Sequence, residues 1–368
     1  MRPPADPQRE VQIAIDGLVA SRAETGIQVA VLHRGRVVVD AIAGVSNPRT
    51  GAPVDPSTLF FAASTGKGVT SSVAHLLVER GELSYGQCVA DVWPEFSAHG
   101  KGAVTLADVL VHTAGVPGLW PQITPEDLCD WDRMCQFIAA QHPWWTPGTQ
   151  TGYHALVWGF LLGELVRRAT GRTIASVLRK EIADPLGIAQ ELYFGVPDDM
   201  LPRIARQGPE GASPPPPEPG SPLDRVIPPG VRPTAAFANR HDVLTADIPS
   251  QGTMSARAVV KMYAALLGHV DGVKLVSSER LAKMAAPTFS GVDQVMGFPT
   301  TWAFGYSPAR LGGFQSRPGS TFGMIGSNGS AAYADIDSGV AVAVMRNRII
   351  NDMSAVARID RIVAEHFG

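Results

Sequence analysis

The segment Ser64-Thr65-Gly66-Lys67 holds the S-x-x-K motif of this chain and lies in a run, residues 60–80, whose composition predicts a buried helix. None of the other five lysines has a serine three positions earlier. Residues three apart share one face of a helix, so this spacing sets an amine beside a hydroxyl. A serine hydroxyl becomes a good nucleophile only when a neighbouring base takes its proton, and S-x-x-K supplies such a base. The motif therefore predicts nucleophilic catalysis by Ser64.

The composition predicts an ordinary globular protein, whose 368 residues suffice for one large domain or two lobes that share a cleft. A net charge of −3 without a dense basic stripe argues against a nucleic-acid partner. The longest apolar stretch, residues 155–163, is too short for a membrane span, and the N-terminal residues contain no apolar secretory segment. Three cysteines without a C-x-x-C pattern predict free thiols rather than metal ligands. We therefore expect a cytoplasmic protein with no metal, no cofactor and no membrane partner, and the oligomeric state stays open.

The order of the predicted elements suggests one sheet built from both ends of the chain. These elements are an amphipathic helix (10–24), a hairpin (26–44), helices (60–80, most of 81–200, and 254–269), strands (301–306, 331–335 and 340–345) and a closing helix (352–366). We predict an α/β sandwich lobe from residues 1–80 and 250–368, with a mainly helical lobe from 81–249. Within the helical lobe, the proline-rich residues 202–233 predict a surface loop or linker.

Three further segments accompany the S-x-x-K motif in a recognisable order and separation. They are LVHTAGVP (110–117), PGTQTGYHA (147–155) and FGMIGSNGS (322–330). They resemble the L-x-H-T-S/A-G-L-P turn, the P-G-x…Y-x-N segment and the late F-G-H-x-G-x-G-G-S strand of the serine β-lactamase-like superfamily. From Phe60 onward the chain thus resembles the penicillin-recognition fold, in the branch that holds class C β-lactamases, family VIII esterases and acyl-transferring relatives.

The resemblance implies an α/β + α fold, in which an antiparallel sheet is flanked by helices and the active site lies in the cleft beside a helical second lobe. It also implies that Tyr153 acts with Ser64 and Lys67, and that the backbone N–H groups of Ser64 and Ser327 form the oxyanion hole. Lysine and tyrosine have unperturbed pKa values of roughly 10.4 and roughly 10. Burial would lower the pKa of the lysine, and a nearby positive charge would lower that of the tyrosine. We predict that Ser64 attacks an acyl carbonyl while Lys67 and Tyr153 relay its proton to the leaving group.

Two positions depart from the β-lactamase pattern. Ala155 stands where β-lactamases have an asparagine that contacts the amide of the substrate. Met324 stands where they have the lysine of K-T-G and where many esterases have histidine, and Ile325 follows it. A site without that cation has little to hold the carboxylate of a penicillin, so we expect an uncharged acyl group. The residues predicted to bind substrate are Met324, Ile325, Gly326, Ala155, His154 and Trp302.

The residues leave two enzyme functions open. The first is a carboxylic ester hydrolase that works through an acyl-Ser64 intermediate. The second is a biosynthetic acyltransferase that passes the same acyl group to an alcohol or amine, so the expected partners are a small-molecule acyl donor and, in this second case, an acceptor. A β-lactamase and a catalytically inactive binding protein are less favoured. The chain contains no G-x-S-x-G, which argues against an α/β-hydrolase.

Overall fold

The computed structural model describes residues 6–208, 215–308, 318–350 and 352–368. Its strands are β1 (Gly26–His33), β2 (Arg36–Asn47), β3 (Ala52–Pro53), β4 (Phe60–Phe61), β5 (Leu192–Tyr193), β6 (Thr253–Met254), β7 (Phe289–Val292), β8 (Pro299–Trp302), β9 (Thr321–Ile325), β10 (Ala331–Asp335) and β11 (Val340–Arg346). The main sheet is antiparallel in the order β3-β2-β1-β11-β10-β9, and the smaller sheets are β4-β6-β5 and β7-β8.

The helices lie on both faces of the main sheet and through the middle of the chain. They are α1 (Pro7–Ala20), α2 (Gly66–Glu79), α3 (Val89–Val92), α4 (Leu106–Leu110), α5 (Pro125–Cys129), α6 (Trp131–Ala140), α7 (Val157–Thr170), α8 (Ile174–Val177), α9 (Pro222–Val226), α10 (Ala235–Ala238), α11 (His241–Thr245), α12 (Ala256–Leu266), α13 (Ser278–Ala285) and α14 (Ser354–Phe367). Short 3-10 or π-helical turns span Ala63–Thr65, Pro94–Gly100, Leu178–Ala183, Asp198–Arg203 and Pro229–Val231. None of the described helices is long and apolar enough to cross a membrane.

The main sheet joins the two ends of the chain through the pairing of β1 with β11. Side chains alternate across each strand, so neighbouring residues face opposite layers. Val29 belongs to the apolar cluster that includes residues of α1 and α14, whereas Ala30 belongs to the larger cluster that includes residues of α2 and α12. An antiparallel sheet flanked by helices agrees with the predicted architecture. The boundaries proposed for the two lobes stay a prediction.

The helix predicted within 60–80, beginning about Ser64, starts at Gly66, and a short strand precedes it. Phe60 and Phe61 pair with Met254 and Thr253 as a short strand, and a 3-10 turn over Ala63–Thr65 separates this strand from α2. Both phenylalanines are buried, because the small sheet lies inside the core. The nucleophile segment is therefore a strand–turn–helix unit.

The proline-rich segment is also more ordered than predicted. Residues 209–214 lie outside the described residues, but α9 and the 3-10 turn Pro229–Val231 form in its second half. Ser221 caps α9 by accepting a hydrogen bond from Asp224 N–H, and proline is favourable at the first helical position. Val226 is fully buried. This half of the segment therefore packs against the protein and is not a free linker.

Candidate active site

Ser64 lies in the turn between β4 and α2, which exposes it partly to solvent. The preceding residue, Ala63, has a φ of +45°, a left-handed conformation that residues other than glycine rarely adopt. Gly66 lies so close to the backbone of Gln251 that a Cβ there would be 2.1 Å from the Gln251 carbonyl oxygen. The turn is thus held by close packing, and it leaves Ser64 partly exposed.

Lys67 is fully buried one turn along α2 from the nucleophile. Its Nζ lies 3.1 Å from Ser64 Oγ and donates to the carbonyl oxygens of Ala155 at 2.6 Å and Ser250 at 3.1 Å. Burial lowers the pKa of Lys67 to about 7, as predicted from desolvation. A neutral amine has two N–H groups, which match the two carbonyls, and one lone pair, which is left for the proton of Ser64. Lys67 therefore has the surroundings of a general base.

Tyr153 completes the cluster from the segment before α7. Its hydroxyl donates a hydrogen bond of 2.8 Å to Ser64 Oγ. Burial raises the pKa of Tyr153 to about 12, and the carboxylate of Asp293 acts in the same direction. The expected lowering by a neighbouring ammonium is not found, because desolvation dominates. Tyr153 is therefore a neutral phenol that can give a proton.

Asp293, which the sequence analysis missed, holds the backbone at Tyr153. Its Oδ1 accepts hydrogen bonds from the N–H groups of Tyr153 at 3.2 Å, Val295 at 2.9 Å and Met296 at 2.8 Å. Asp293 is also the one charged residue between Lys283 and Arg310. That isolation is a sequence signal that could have identified it, since a lone acid in an apolar run needs a buried partner.

Trp302, which the sequence analysis predicted to bind substrate, lies beside Tyr153. The two rings are nearly parallel, with 7° between their planes and 5.9 Å between centroids. Trp302 is 7% exposed, and its indole N–H has no hydrogen-bond partner in the described part of the chain. Its ring therefore packs directly against the ring of Tyr153.

The two histidines near Tyr153, His112 and His154, form hydrogen bonds with backbone groups. His154 Nδ1 bonds the Gly152 carbonyl at 2.6 Å, and its Nε2 accepts the Val116 N–H at 3.1 Å. His112 Nδ1 accepts the His154 N–H at 3.2 Å. Burial lowers the pKa of His154 to about 3, so its ring is neutral. Both ring nitrogens of His154 are therefore used inside the protein, and substrate binding by its side chain stays a prediction. The hydrogen bond of His112 gives that residue a structural contact.

The turn that follows β9 packs against the nucleophile segment. Asn328 Nδ2 donates to the Phe61 carbonyl at 2.8 Å, and Thr65 Oγ1 donates to the Ser330 carbonyl at 3.0 Å. A Cβ on Gly326 would lie 2.4 Å from the carbonyl oxygen of Ala62, so only glycine fits there. The Ser327 N–H donates to no acceptor among the described residues. These contacts bring the turn that carries Ser327 against the residues on both sides of Ser64.

The remaining residues that were predicted to bind substrate lie in different apolar clusters of the protein. Ala155 packs with Val226 of α9 and Val295, which form an apolar wall beside Tyr153. Met324 is buried in the larger core cluster, on the sheet face that meets α2. Ile325 packs with the opposite cluster, because side chains alternate along β9. The side chain of Ile325 therefore points away from the nucleophile, and only its backbone stays near the site.

A serine held between a buried amine and a phenol, at the edge of an antiparallel sheet, defines the class of this protein as a serine-dependent acyl-transfer enzyme. A family model described as Beta-lactamase matches residues 11–366, so the chain belongs to the beta-lactamase family. It is 31% identical to Esterase/beta-lactamase LipL of Mycobacterium tuberculosis (strain ATCC 25618 / H37Rv), over 95% of this chain and 83% of that protein.

Solved structures agree with this assignment. A family VIII carboxylesterase is 28% identical, with a TM-score of 0.89 and a match that covers 98% of each chain. A penicillin-binding protein homolog from Caulobacter crescentus is 32% identical, with a TM-score of 0.85 and coverage of 98% of this chain and 96% of that one. The predicted fold class and superfamily are confirmed. The chain is a β-lactamase-like serine esterase or acyltransferase.

Proposed function

We propose that this protein hydrolyses carboxylic esters through an acyl-Ser64 intermediate. The observation that carries the proposal is the pair of contacts on one oxygen: Ser64 Oγ lies 3.1 Å from the amine of Lys67 and 2.8 Å from the phenol of Tyr153. A base and an acid on the same nucleophile match the two proton transfers of acylation. The similarity to an esterase over 95% of the chain supports the same reaction.

In acylation, neutral Lys67 takes the Ser64 proton as Oγ attacks the ester carbonyl. The N–H groups of Ser64 and Ser327 would stabilise the negative oxygen that forms, since donors aimed at developing charge lower the barrier. Tyr153 gives its proton to the departing alkoxide, and Lys67 returns a proton to Tyr153. The products of this half-reaction are an alcohol and the acyl-enzyme. Water then attacks the acyl carbonyl by the reverse proton path and releases the acid.

Acyl transfer to an alcohol is the second candidate. It uses the same acyl-Ser64 and differs only in the acceptor. The apolar wall of Ala155, Val226 and Val295 supports it, because apolar surroundings favour an alkyl alcohol over water beside Tyr153. β-Lactam hydrolysis is disfavoured, since Met324 and Ala155 lack the polar groups that would hold the drug. Lys67 cannot replace them, because its amine already contacts Ser64 and the carbonyl oxygens of Ala155 and Ser250.

The intact protein mass, followed in time after mixing with 4-nitrophenyl acetate, tests the proposal. The wild type should gain one acetyl group and lose it again in water, whereas the Ser64→Ala variant should gain none. An adduct that persists until an alcohol is added would favour the acyltransferase. Acetylation of Ser64→Ala at the wild-type rate would contradict Ser64 as the nucleophile.

A further inference from the structure

The tip of the β7–β8 hairpin, residues 292–298, exposes apolar side chains next to the active site. Val292 is 55%, Met296 38% and Phe298 50% exposed. Among the described residues, two other large apolar side chains are similarly exposed to solvent. They are Ile13 on α1 and Val37 on β2. Exposed apolar residues scattered singly need no explanation, but a cluster beside a cleft indicates a binding surface.

The hairpin tip itself presents no charged side chain to a ligand. Between Lys283 and Arg310 the chain carries a single charged residue, Asp293. Asp293 is 1% exposed and is bound to backbone N–H groups, so it presents no charge to solvent. A surface with apolar side chains and no exposed charge suits a neutral hydrocarbon chain.

The hairpin tip is continuous with the catalytic centre. Gln294 N–H donates to the Thr151 carbonyl at 2.8 Å, and Asp293 accepts the Tyr153 N–H. Val295 points inward against Ala155, while its neighbours Met296 and Val292 remain exposed. The inner face of the tip thus belongs to the wall beside Tyr153, and the outer face extends the same apolar surface toward solvent.

The position of Tyr153 decides which part of an ester reaches this surface. In the proposed mechanism the Tyr153 hydroxyl gives its proton to the departing alkoxide, so the alcohol part of the ester lies next to Tyr153. Carbon atoms attached to that oxygen have the hairpin tip as their neighbouring apolar surface. We propose that the hairpin tip binds the hydrocarbon chain of the alcohol part, and that the preferred substrates are esters of neutral medium-chain alcohols. This inference rests on the proposed ester chemistry.

The first test varies one half of the ester at a time. The kcat/KM of the wild type is measured for ethyl, butyl, hexyl and octyl acetate, and for ethyl acetate, butyrate, hexanoate and octanoate, by release of acid. We expect the alkyl acetate series to rise by about two- to fourfold for each methylene that leaves water. The kcat/KM covers the steps up to departure of the alcohol, so slow deacylation does not mask the effect. A flat alkyl series, or a rise confined to the acyl series, overturns the proposal.

The second test removes the apolar tip. In the variant Val292→Thr/Met296→Gln/Phe298→Ser, the ratio of kcat/KM for octyl to ethyl acetate should fall at least about tenfold. The matched control, Ile13→Thr/Val37→Thr, removes apolar groups elsewhere that are at least as exposed and should keep the wild-type ratio. The single change Phe298→Ser should lower the ratio in part and serves if the triple variant folds poorly. An unchanged ratio in both tip variants refutes the assignment.

A binding measurement separates this inference from the ester chemistry. Titration of Ser64→Ala with 1-octanol and 1-butanol, followed by tryptophan fluorescence, should give much tighter binding of the longer alcohol, and the tip variant introduced into Ser64→Ala should abolish the difference. Absence of turnover on every ester would reject the proposed function while octanol binding still reports on the tip. Equal affinity for both alcohols would show that the hairpin tip does not bind the alcohol chain, even if the protein is an active esterase.

Discussion

Lys67 Nζ donates a hydrogen bond of 2.6 Å to the carbonyl oxygen of Ala155, two residues after Tyr153. The amine of the proposed base is therefore fixed by the same segment that carries the proposed acid. The Ser250 carbonyl fixes it from the other side at 3.1 Å. A base held by two acceptors approaches Ser64 in one orientation, which is how an active site limits the reorganisation needed for reaction.

The pH dependence of acylation follows from the state of Lys67. Because burial lowers its pKa to about 7, the neutral amine that accepts the Ser64 proton is the minor form at pH 5.5 and the major form at pH 8.5. We expect kcat/KM for 4-nitrophenyl acetate to rise through about pH 7 and then level off. A profile that falls with pH over this range would contradict the assignment.

The Lys67→Arg variant tests the same base with a side chain that stays charged. A guanidinium stays protonated at every pH of the experiment, so it cannot take the Ser64 proton. We expect a loss in kcat/KM of about 10²–10⁴-fold, with no recovery at high pH. Thermal melting beside the wild type controls for folding, and a variant that keeps the wild-type pH profile would show that another group is the base.

Replacing Tyr153 should affect esters according to their leaving groups. The pKa of about 12 keeps the phenol protonated, so Tyr153 acts by giving a proton. An alkoxide needs that proton to depart, whereas 4-nitrophenolate leaves without one. Tyr153→Phe should therefore lose about 10²–10⁴-fold on ethyl acetate and much less on 4-nitrophenyl acetate. Equal losses on both esters would indicate a role in orientation rather than proton transfer.

The turn that carries Ser327 is tested through its glycine. In Gly326→Ala the new Cβ would lie 2.4 Å from the Ala62 carbonyl oxygen, so the turn must move away from the nucleophile. Loss of one oxyanion donor typically costs about 10²–10³-fold in kcat. Gly86→Ala is the control, because a Cβ there meets nothing within 4 Å. If the Gly326→Ala enzyme keeps the wild-type kcat, the Ser327 N–H is not part of the oxyanion hole.

Sequence motifs identified the residues of this site that share a short segment or a known pattern. Ser64 and Lys67 are three residues apart on one structural unit, and Tyr153 follows a Pro-Gly turn. The strands β10 and β11 were predictable because continuous β-rich runs form them. In contrast, the short strand at Phe60 forms only through its pairing with Met254, a tertiary contact that local propensity does not encode.

The same reason explains why the sequence analysis missed two residues that contact the Tyr153 segment. Asp293 reaches Tyr153 across 140 positions of the sequence, and Val226 reaches Ala155 from within a proline-rich segment. A lone acid and a short capped helix are weak signals until the fold brings their partners together. Alternation along β9 likewise separates Met324 from Ile325, because a strand period of two puts neighbours on opposite faces.

Asp293 gives the last prediction, because it joins the β7–β8 hairpin to Tyr153, the proposed acid. Its Oδ1 accepts three backbone N–H groups, and Asp293→Ala would leave those buried donors without an acceptor, at a cost of about 1–3 kcal/mol for each group left unpaired. Tyr153 would then be held less firmly, and a displacement of about 1 Å can cost about a hundredfold in rate. We expect lower kcat with a smaller change in KM, and a lower melting temperature.

Asp293→Asn separates geometry from charge, since its amide oxygen can still accept the same bonds. This variant should recover most of the kcat lost in Asp293→Ala. Removing the carboxylate should also lower the pKa of Tyr153, because the Asp293 charge contributes to raising it, so the plateau of the pH profile should end at a lower pH than in the wild type. Asp271→Ala, which removes an exposed acid from another turn, is the control for general effects of charge. If Asp293→Asn fails to restore kcat while the plateau ends at the wild-type pH, the carboxylate has a role other than holding the Tyr153 backbone.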